Sequence, residues 1–276
     1  MAVTGEFPRS TGRAPGAWRG VLLVVEHFWT WYRRNWRATV VSSVLQPLLF
    51  LLAFGVGFGT LVERNGSAAA ATGGAEYLVW LAPALLAVSA VQSGAFESTY
   101  PVLSGFKWQR IYHAMTAGPI SPAQVAIGHL GWVACKTAGC GAVYIAVIAA
   151  VGGVASPGIV VSLLAAVLTG AAVAALVTAF AATVDNEGPA FNALFRFVVI
   201  PMTLFSGTFF PVDRLPEWVQ PAAWISPLWH GTELARAAAL DRWVPLAALG
   251  HLAYLLVLLA AGVALSTRFF ARRLAQ

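Results

Sequence analysis

The stretch IVVSLLAAVLTGAAVAALVTAFAATV, Ile159–Val184, contains no charged residue and decides the fold class of this chain. A helix needs about 20 mostly apolar residues to cross the roughly 30 Å hydrocarbon core of a bilayer. Working outward, five further stretches meet this requirement: Ala38–Leu61, Tyr77–Phe96, Gln124–Val151, Phe191–Phe210 (with Arg196) and Leu246–Thr267. Because backbone groups in lipid must be hydrogen-bonded internally, we predict an all-α integral membrane protein with six transmembrane helices.

The composition supports a membrane protein and argues against an enzyme. The chain has 276 residues, of which 59% are hydrophobic and 10% charged, whereas soluble domains are about 25% charged. Six spans within residues 38–267 leave no room for a soluble catalytic domain. The five histidines and few acids are scattered along the sequence, without the grouping that a nucleophile and base or a metal ion would need. We therefore expect no catalytic residue, no metal site and no cofactor bound by this chain.

The basic residues are distributed unevenly between the two sides that six spans would create. With both termini on one side, that side carries eleven basic residues and the other side four. The first set is Arg9, Arg13, Arg19, Arg33, Arg34, Arg37, Lys107, Arg110, Arg268, Arg272 and Arg273, and the second is Arg64, Arg214, Arg236 and Arg242. Because cytoplasmic loops carry the excess of Lys and Arg, we predict a multi-pass protein of the bacterial cytoplasmic (inner) membrane with both termini in the cytoplasm. The pI near 9.8 then reflects topology and contact with anionic membrane lipid, and no nucleic-acid partner is expected.

The two ends of the chain are polar. Residues 1–16 carry arginines and prolines without an apolar core, so we predict a disordered cytoplasmic tail there, and residues 268–276 form a second cytoplasmic tail. Residues 17–36 predict an amphipathic helix, because apolar and aromatic side chains recur at spacings of three and four. Such a helix lies flat in the membrane interface. It is either a simple anchor or an elbow helix that passes motion from a cytoplasmic partner to the first span.

The cytoplasmic loop 98–122 contains a second amphipathic pattern. Trp108, Ile111, Tyr112 and Met115 follow the i, i+3, i+4, i+7 spacing of one helical face. This predicts a short helix over Lys107–Ala117, which the following Gly and Pro residues end. The spacing alone leaves two interpretations open: the helix packs on the spans, or it docks on a soluble partner.

The segment 211–240 is rich in proline and yet remains apolar and aromatic. It begins at the end of the run Ser206-Gly207-Thr208-Phe209-Phe210-Pro211 and includes Pro216, Pro221 and Pro227. Prolines at this density exclude one continuous helix. Non-helical backbone at membrane depth is tolerated only where it is buried in protein, so we predict short helices that re-enter from the outer face.

Three charged residues lie in or at the ends of spans: Glu97, Lys136 and Arg196. A charge at the bilayer centre costs about 2.5–3.5 kcal/mol on insertion scales, so such residues usually face a partner or an aqueous cavity. Lys136 lies deep in the third span, and Glu97 ends the second. We predict a structural ion pair between Lys136 and Glu97, with direct contact to a transported substrate as the alternative.

Taken together, these features resemble those of the type-2 ATP-binding-cassette (ABC) exporter permeases, especially the branch of nodulation-factor (lipo-oligosaccharide) export permeases. The resemblance covers almost the whole chain. Its most specific part is Ser206-Gly207…Pro211…Leu215-Pro216…Trp218…Ser226-Pro227-Leu228, which is similar to the re-entrant segment after the fifth span. The run from Phe96-Glu97-Ser98-Thr99-Tyr100 to Pro119-Ile120-Ser121 resembles the loop that carries the coupling helix, and Lys136 resembles a lysine position of that branch.

The resemblance implies a subunit that works in an assembly. Its partners would be a second permease copy, expected to be identical, and two ABC ATPase subunits, which bind ATP and Mg. The assembly would export amphiphiles such as lipid-linked glycans, lipo-oligosaccharides or hydrophobic drugs. Export of a drug would confer antibiotic resistance by efflux. The residues implied for ATPase coupling are Lys107, Trp108, Arg110, Ile111 and Tyr112. Those implied for the outer gate are Phe205, Ser206, Gly207, Phe209, Phe210, Pro211, Pro216 and Pro227.

The source of energy separates this interpretation from its main alternative. The chain has no GxxxxGK motif followed by Ser or Thr, so it cannot bind ATP through a P-loop of its own and needs an ATPase partner. An ion-coupled secondary transporter would instead show two related halves with coupling carboxylates at the midplane. The halves of this sequence show no such similarity, and Glu97 lies at the edge of its span.

Overall fold

The computed structural model describes residues 16–50, 53, 72, 76–150, 152–185 and 189–275, and these residues form helices, turns and bends without a strand. The helices, in chain order, are α1 (Ala17–Phe50), α2 (Tyr77–Glu97), α3 (Tyr100–Lys107), α4 (Ile111–Thr116), α5 (Pro122–Ala150), α6 (Ile159–Ala181), α7 (Pro189–Leu194), α8 (Ile200–Phe205), α9 (Gln220–Ile225), α10 (Pro227–Ala239) and α11 (Pro245–Leu274). A π-helical turn, Phe195–Val199, joins α7 to α8, and a 3₁₀ turn, Val212–Arg214, precedes α9.

Four helical runs among the described residues are long and apolar enough to cross a bilayer: Tyr77–Lys107, Pro122–Ala150, Ile159–Ala181 and Pro245–Leu274. The predicted class, an all-helical membrane protein, is confirmed. The predicted fifth span appears as the shorter apolar run Pro189–Phe205. Of the predicted first span, residues 38–50 belong to α1, and most of the remainder lies outside the described residues, as do residues 1–15 of the predicted tail.

Helix α1 unites the predicted elbow with the start of the predicted first span. Its amino-terminal half lies on α5, where Val24 fits against a glycine: a Cβ added at Gly128 would lie 2.6 Å from the Val24 Cβ. The Gln124 amide also donates to the Ala17 carbonyl at 3.0 Å. The opposite face is aromatic and exposed, with Trp18 71% accessible. Residues 17–36 are thus helical, and their place in the membrane interface stays a prediction.

Helix α6, the stretch that decides the fold class, lies at the centre of the bundle and touches its neighbours through small residues. At its crossing with α2, a Cβ at Gly170 would lie 2.7 Å from the Ala90 carbonyl oxygen, and a Cβ at Gly94 would lie 2.7 Å from the Gly170 oxygen. On α11, the Ser266 hydroxyl donates to the Ala175 carbonyl at 2.7 Å. Glycine at these crossings lets helix backbones approach closely, as is typical of membrane bundles.

The fifth apolar run ends five residues earlier than predicted. Its helix stops at Phe205, and Ser206–Phe210 form a bend in which Gly207 has a φ of +75°. A positive φ is unstrained for glycine and ends a helix readily. Beyond this bend, the 3₁₀ turn, α9 and α10 agree with the prediction of short broken helices over 211–240. Helix α10 is buried against α6, where the Ser162 hydroxyl donates to the Ala235 carbonyl at 2.6 Å.

Candidate functional site

The predicted ion pair between Lys136 and Glu97 is confirmed. Lys136 Nζ lies 2.6 Å from Glu97 Oε1, and the two side chains are 6% and 18% exposed. Glu97 is the last residue of α2, and Lys136 lies midway along α5. The bond therefore joins two membrane-spanning helices inside the bundle. The third predicted charge, Arg196, lies apart from this pair, on the exposed side of the π-helical turn.

A cavity of about 710 Å³ opens beside this ion pair. Aromatic side chains form much of its wall: Phe28, Trp31, Phe96, Tyr112, Trp132 and Phe195. Alcohol, amide and charged side chains supply the polar part: Ser89, Gln92, Ser93, Glu97, Ser104, Gln109 and Lys136. A concave site that is mostly apolar with a few convergent polar groups is the usual form of a small-molecule site. Such a lining fits a molecule with both an apolar and a polar part.

The loop that contributes Gln109 and Ile111 to the cavity wall differs from its prediction. A single helix over Lys107–Ala117 is wrong, because α3 ends at Lys107 and α4 begins at Ile111. Between them, the backbone amides of Trp108 and Gln109 both bond to the Ser104 carbonyl, and Arg110 has a φ of +50°. The break folds α4 back onto α3, so that the Tyr112 ring lies over Gly105, where an added Cβ would come 2.5 Å from the ring.

The residues predicted to contact an ATPase separate into two groups. Lys107, Trp108 and Arg110 are exposed, Trp108 by 53%, and Ile111 is partly exposed. Tyr112 is only 1% exposed, so burial removes it from the predicted docking set.

Tyr112 instead ties the loop to the bundle. Its ring centre lies 4.8 Å from that of Phe106 and 5.3 Å from that of Phe270 on α11. Its hydroxyl lies 3.5 Å from His129 Nδ1 on α5. Complete burial raises the pKa of Tyr112, which keeps the hydroxyl protonated and able to donate to this nitrogen. The loop and α5 are thus in direct contact.

The carboxyl end of α11 is bonded to the carboxyl end of α6 and to the residues that follow it. Arg273 donates to the carbonyls of Ala181, Ala182 and Val184 at 3.0–3.1 Å and to the Asp185 carboxylate at 3.3 Å. A cation at the carbonyl end of a helix satisfies acceptors that have no intrahelical partner. Most of the predicted tail 268–276 continues α11, which ends at Leu274. Within this part of the helix, Arg273 caps α6.

The residues predicted for the outer gate lie at the opposite end of α2 from the cavity. Tyr77, the first residue of α2, donates its hydroxyl to the Phe209 carbonyl at 3.0 Å. Glu97 lies 20 residues further along the helix, or about 30 Å at 1.5 Å per residue. The predicted set is spread over several elements, with Phe205 ending α8, Pro227 beginning α10 and Pro216 exposed in the turn between them.

Three hydrogen bonds hold this outer region together, and two of them come from an arginine that the sequence pattern placed among the ordinary loop charges. Ser206 and Ser226 are bonded through their hydroxyls at 2.6 Å. Arg236, only 7% exposed, donates to the carbonyls of Gly207 at 2.7 Å and Thr208 at 2.8 Å. The sequence signal for this role was an arginine within an alanine-rich helical run.

The structure also contains a histidine pair that the sequence did not predict. His230 on α10 and His251 on α11 face each other with 2.8 Å between their Nδ1 atoms. His230 Nε2 lies 3.0 Å from the Trp224 carbonyl, and its ring stacks on Tyr254 at 3.9 Å between centres. These contacts fasten the re-entrant helices to the last span. The two histidines are 21 residues apart on different helices, so no local spacing pointed to them.

Comparison with known proteins identifies the family of this chain. Residues 20–240 match the family described as ABC-2 type transporter. The chain is 32% identical to Nodulation protein J of Rhizobium leguminosarum bv. trifolii over 253 residues, covering 88% of this chain and 92% of that protein. It is 30% identical to Nodulation protein J of Rhizobium meliloti over 260 residues, covering 89% and 94%. The resemblance drawn from the sequence is confirmed. Since the family match spans most of the chain, this protein belongs to the ABC-2 type transporter family.

Proposed function

We propose that this chain is the membrane-spanning subunit of an ABC exporter that binds an amphiphilic substrate in the cavity beside Glu97 and Lys136 and moves it outward. The observation that carries the proposal is the lining of that cavity, where aromatic walls meet alcohols, amides and an ion pair. Apolar walls suit an acyl chain or another hydrophobic body, and the polar side chains suit its head group. Lipid-linked glycans, lipo-oligosaccharides and hydrophobic drugs all meet this description. If the cargo is a drug, the exporter confers antibiotic resistance.

The energy comes from a separate ATPase subunit, present in two copies, which binds ATP and Mg. Its docking surface is the exposed part of the loop between α3 and α4, formed by Lys107, Trp108, Arg110 and Ile111. Exposed tryptophan and arginine side chains are typical of the energetically important centres of protein interfaces. Two identical permease subunits complete the exporter in the bacterial inner membrane, with both termini of each in the cytoplasm.

The contacts of Tyr112 support a route by which movement of the docking surface reaches the cavity. Tyr112 touches His129 on α5, and Lys136 follows His129 by seven residues, two turns along the same face. Displacement of α4 by the ATPase therefore acts on the helix face that carries the ion pair. The cavity is lined by both His129 and Lys136, so its shape responds to the same displacement.

Release occurs at the other end of α2, through the bend and short helices formed by Ser206–Phe210 and residues 211–240. Proline and glycine interrupt regular structure there, which permits small rearrangements without breaking a long helix. Phe205 and Phe210 are 43% and 38% exposed and serve as the apolar gate. Helix α2 links this gate to the cavity through the bond between Tyr77 and Phe209.

The test is purification of the tagged chain in mild detergent together with an ABC ATPase encoded in the same genome. We expect a stable complex whose ATP hydrolysis is inhibited by vanadate and stimulated by amphiphiles with long acyl chains. A chain that purifies alone, and whose reconstituted form changes the activity of no ATPase, would contradict the proposal.

A further inference from the structure

We propose that the Glu97–Lys136 pair makes the cavity select amphiphiles whose head group is uncharged. The inference rests on the function proposed above, since it assigns a charge preference to the same cavity. Its structural basis is the mutual neutralisation of the two ionic side chains that line the site.

Among the residues that the structure describes, the cavity lining contains one acidic and one basic residue, Glu97 and Lys136. The rest of its polar part comes from alcohols, amides, a tyrosine and two imidazoles. The carboxylate and the ammonium lie 2.6 Å apart, the distance of a strong charge-assisted hydrogen bond. In the described part of the wall, the acidic and the basic side chain therefore neutralise each other.

A charged head group gains little in such a site. A cation that approaches Glu97 also approaches Lys136, whose ammonium is bound to the same carboxylate, so attraction is offset by repulsion. An anion that approaches Lys136 meets the same opposition from Glu97. Either ion must also leave water to enter a partly apolar cavity, and that desolvation is unfavourable unless a partner replaces the water. An uncharged head group avoids this cost.

Uncharged head groups find suitable partners in the same wall. Ser93, Ser104 and Gln109 line the cavity near the pair, and their side chains offer both donors and acceptors. The outer oxygens and hydrogens of the ion pair can bond to a hydroxyl or amide of the ligand without separating the two charges. Exposed Phe96 and Trp31 provide the apolar surface for the tail.

The pair also predicts how the preference changes when one partner is removed. Lys136→Gln leaves the carboxylate of Glu97 without its counter-charge and shifts the preference toward cations. Glu97→Gln leaves the ammonium of Lys136 and shifts it toward anions. The double exchange E97K/K136E restores a pair in the opposite orientation and keeps the preference for uncharged ligands. This double variant is the matched control.

The experiment uses the full chain in nanodiscs of zwitterionic lipid at pH 8, with three photoreactive probes that share one dodecyl tail. Their head groups are a glucoside, a trimethylammonium and a sulfonate. Labelling of the α5 peptide that contains Trp132 and Lys136 is measured by mass spectrometry, and only labelling that excess unlabelled probe displaces is counted. This separates cavity binding from partition into lipid.

We expect the glucoside probe to label the native chain about tenfold more than either charged probe does. This ratio corresponds to the loss, by the charged probe, of about one charge-assisted contact that it makes with water. K136Q is expected to raise trimethylammonium labelling, and E97Q sulfonate labelling, by a similar factor. Equal labelling of the native chain by all three probes overturns the charge inference while leaving the cavity as a substrate site. The absence of displaceable labelling by any probe overturns the proposed function of the cavity and this inference with it. The native chain alone decides between these results even if a variant fails to fold.

Discussion

The guanidinium carbon of Arg236 lies 3.4 Å from the centre of the Trp80 ring, and this contact joins the re-entrant helix α10 to α2. The same side chain donates to the carbonyls of Trp80, Gly207 and Thr208. Burial lowers the pKa of Arg236 to about 10, with Glu233 and Tyr77 opposing the shift, so the group stays charged at neutral pH. A flat cation with several fixed donors satisfies three carbonyls and an aromatic face at once.

Replacing Arg236 should destabilise the outer region. In Arg236→Gln the carbonyls of Gly207 and Thr208 lose their donors inside the protein, at about 1–3 kcal/mol for each buried group left unpaired. We expect the unfolding temperature in detergent to fall by about 6 °C or more, and Arg236→Lys to restore only part of the loss because one ammonium cannot reproduce the planar contacts. Differential scanning fluorimetry measures both.

Arg214→Gln is the control for this prediction, because Arg214 is an exposed arginine of the same region. It should leave the unfolding temperature unchanged. If Arg236→Lys is as stable as the native protein, the charge alone matters and the role assigned to the planar guanidinium is wrong.

Hydropathy predicts the long helices of this bundle. The apolar runs predicted α5, α6 and α11, because the length of a bilayer-crossing helix follows from composition. The Glu97–Lys136 bond was also predictable, since two opposite charges in neighbouring apolar spans have few other ways to be satisfied.

Contacts that depend on helix rotation were not predictable in this way. Whether Arg236 faces water or Trp80 is decided by how α10 turns against α2, and a one-dimensional pattern does not contain that angle. The break at Arg110 was missed because a left-handed conformation at a non-glycine residue is uncommon and has no strong sequence signal. The spacing of Trp108 and Tyr112 fitted one helix, yet burial of the tyrosine ring against Gly105 determined the local fold.

The crossing of α2 and α6 should tolerate no side chain at Gly170. A Cβ there would lie 2.7 Å from the Ala90 carbonyl oxygen, and a backbone atom cannot move aside without separating the two helices. We expect Gly170→Ala to destabilise the protein by about 1–3 kcal/mol, seen as a lower unfolding temperature. Gly139→Ala in α5 is the matched control, because an added Cβ there meets nothing within 4 Å. Equal stability of the two variants would contradict the close approach of α2 and α6.

The exposed turn between α3 and α4 should be needed for coupling but not for folding. We expect the double variant Trp108→Ala and Arg110→Ala to insert and purify normally, and to lose about tenfold or more of its amphiphile-stimulated ATPase activity, since interface centres carry 2 kcal/mol or more. The measurement is ATP hydrolysis and vesicle export by the reconstituted complex. Ala114→Ser, an exposed change on the neighbouring helix α4, is the control. Normal export and hydrolysis in the double variant would exclude this turn as the docking surface.

The histidine pair should make attachment of α10 to α11 depend on pH. His230 Nε2 faces the Trp224 carbonyl, so this nitrogen carries the proton and donates. In neutral His230 the Nδ1 is then an acceptor, and the 2.8 Å contact requires His251 to donate from its own Nδ1. Protonation of both rings would bring two N–H groups together and break the bond. Glu233 and the stacked Tyr254 are the other titratable groups near the pair.

Partial burial is the main cause that lowers the pKa of His230, and the neighbouring His251 is a smaller cause in the same direction. The bond to the Trp224 carbonyl opposes this shift. A histidine with a lowered pKa in the folded state stabilises the structure above its unfolded pKa, about 6.5, and loses that contribution as the pH falls through the lower folded value. We therefore expect hydrogen exchange of residues 220–239, corrected for intrinsic rates, to be slow at pH 7.5 and faster at pH 5, with α6 unchanged as the internal reference.

Two variants test whether the histidine pair causes this pH dependence. His251→Asn keeps a donor that cannot take up a proton, so its exchange should depend much less on pH. His113 is an exposed histidine outside the pair, so His113→Asn should behave like the native protein. A native chain whose corrected exchange over 220–239 is the same at both pH values would show that the pair does not hold α10 against α11.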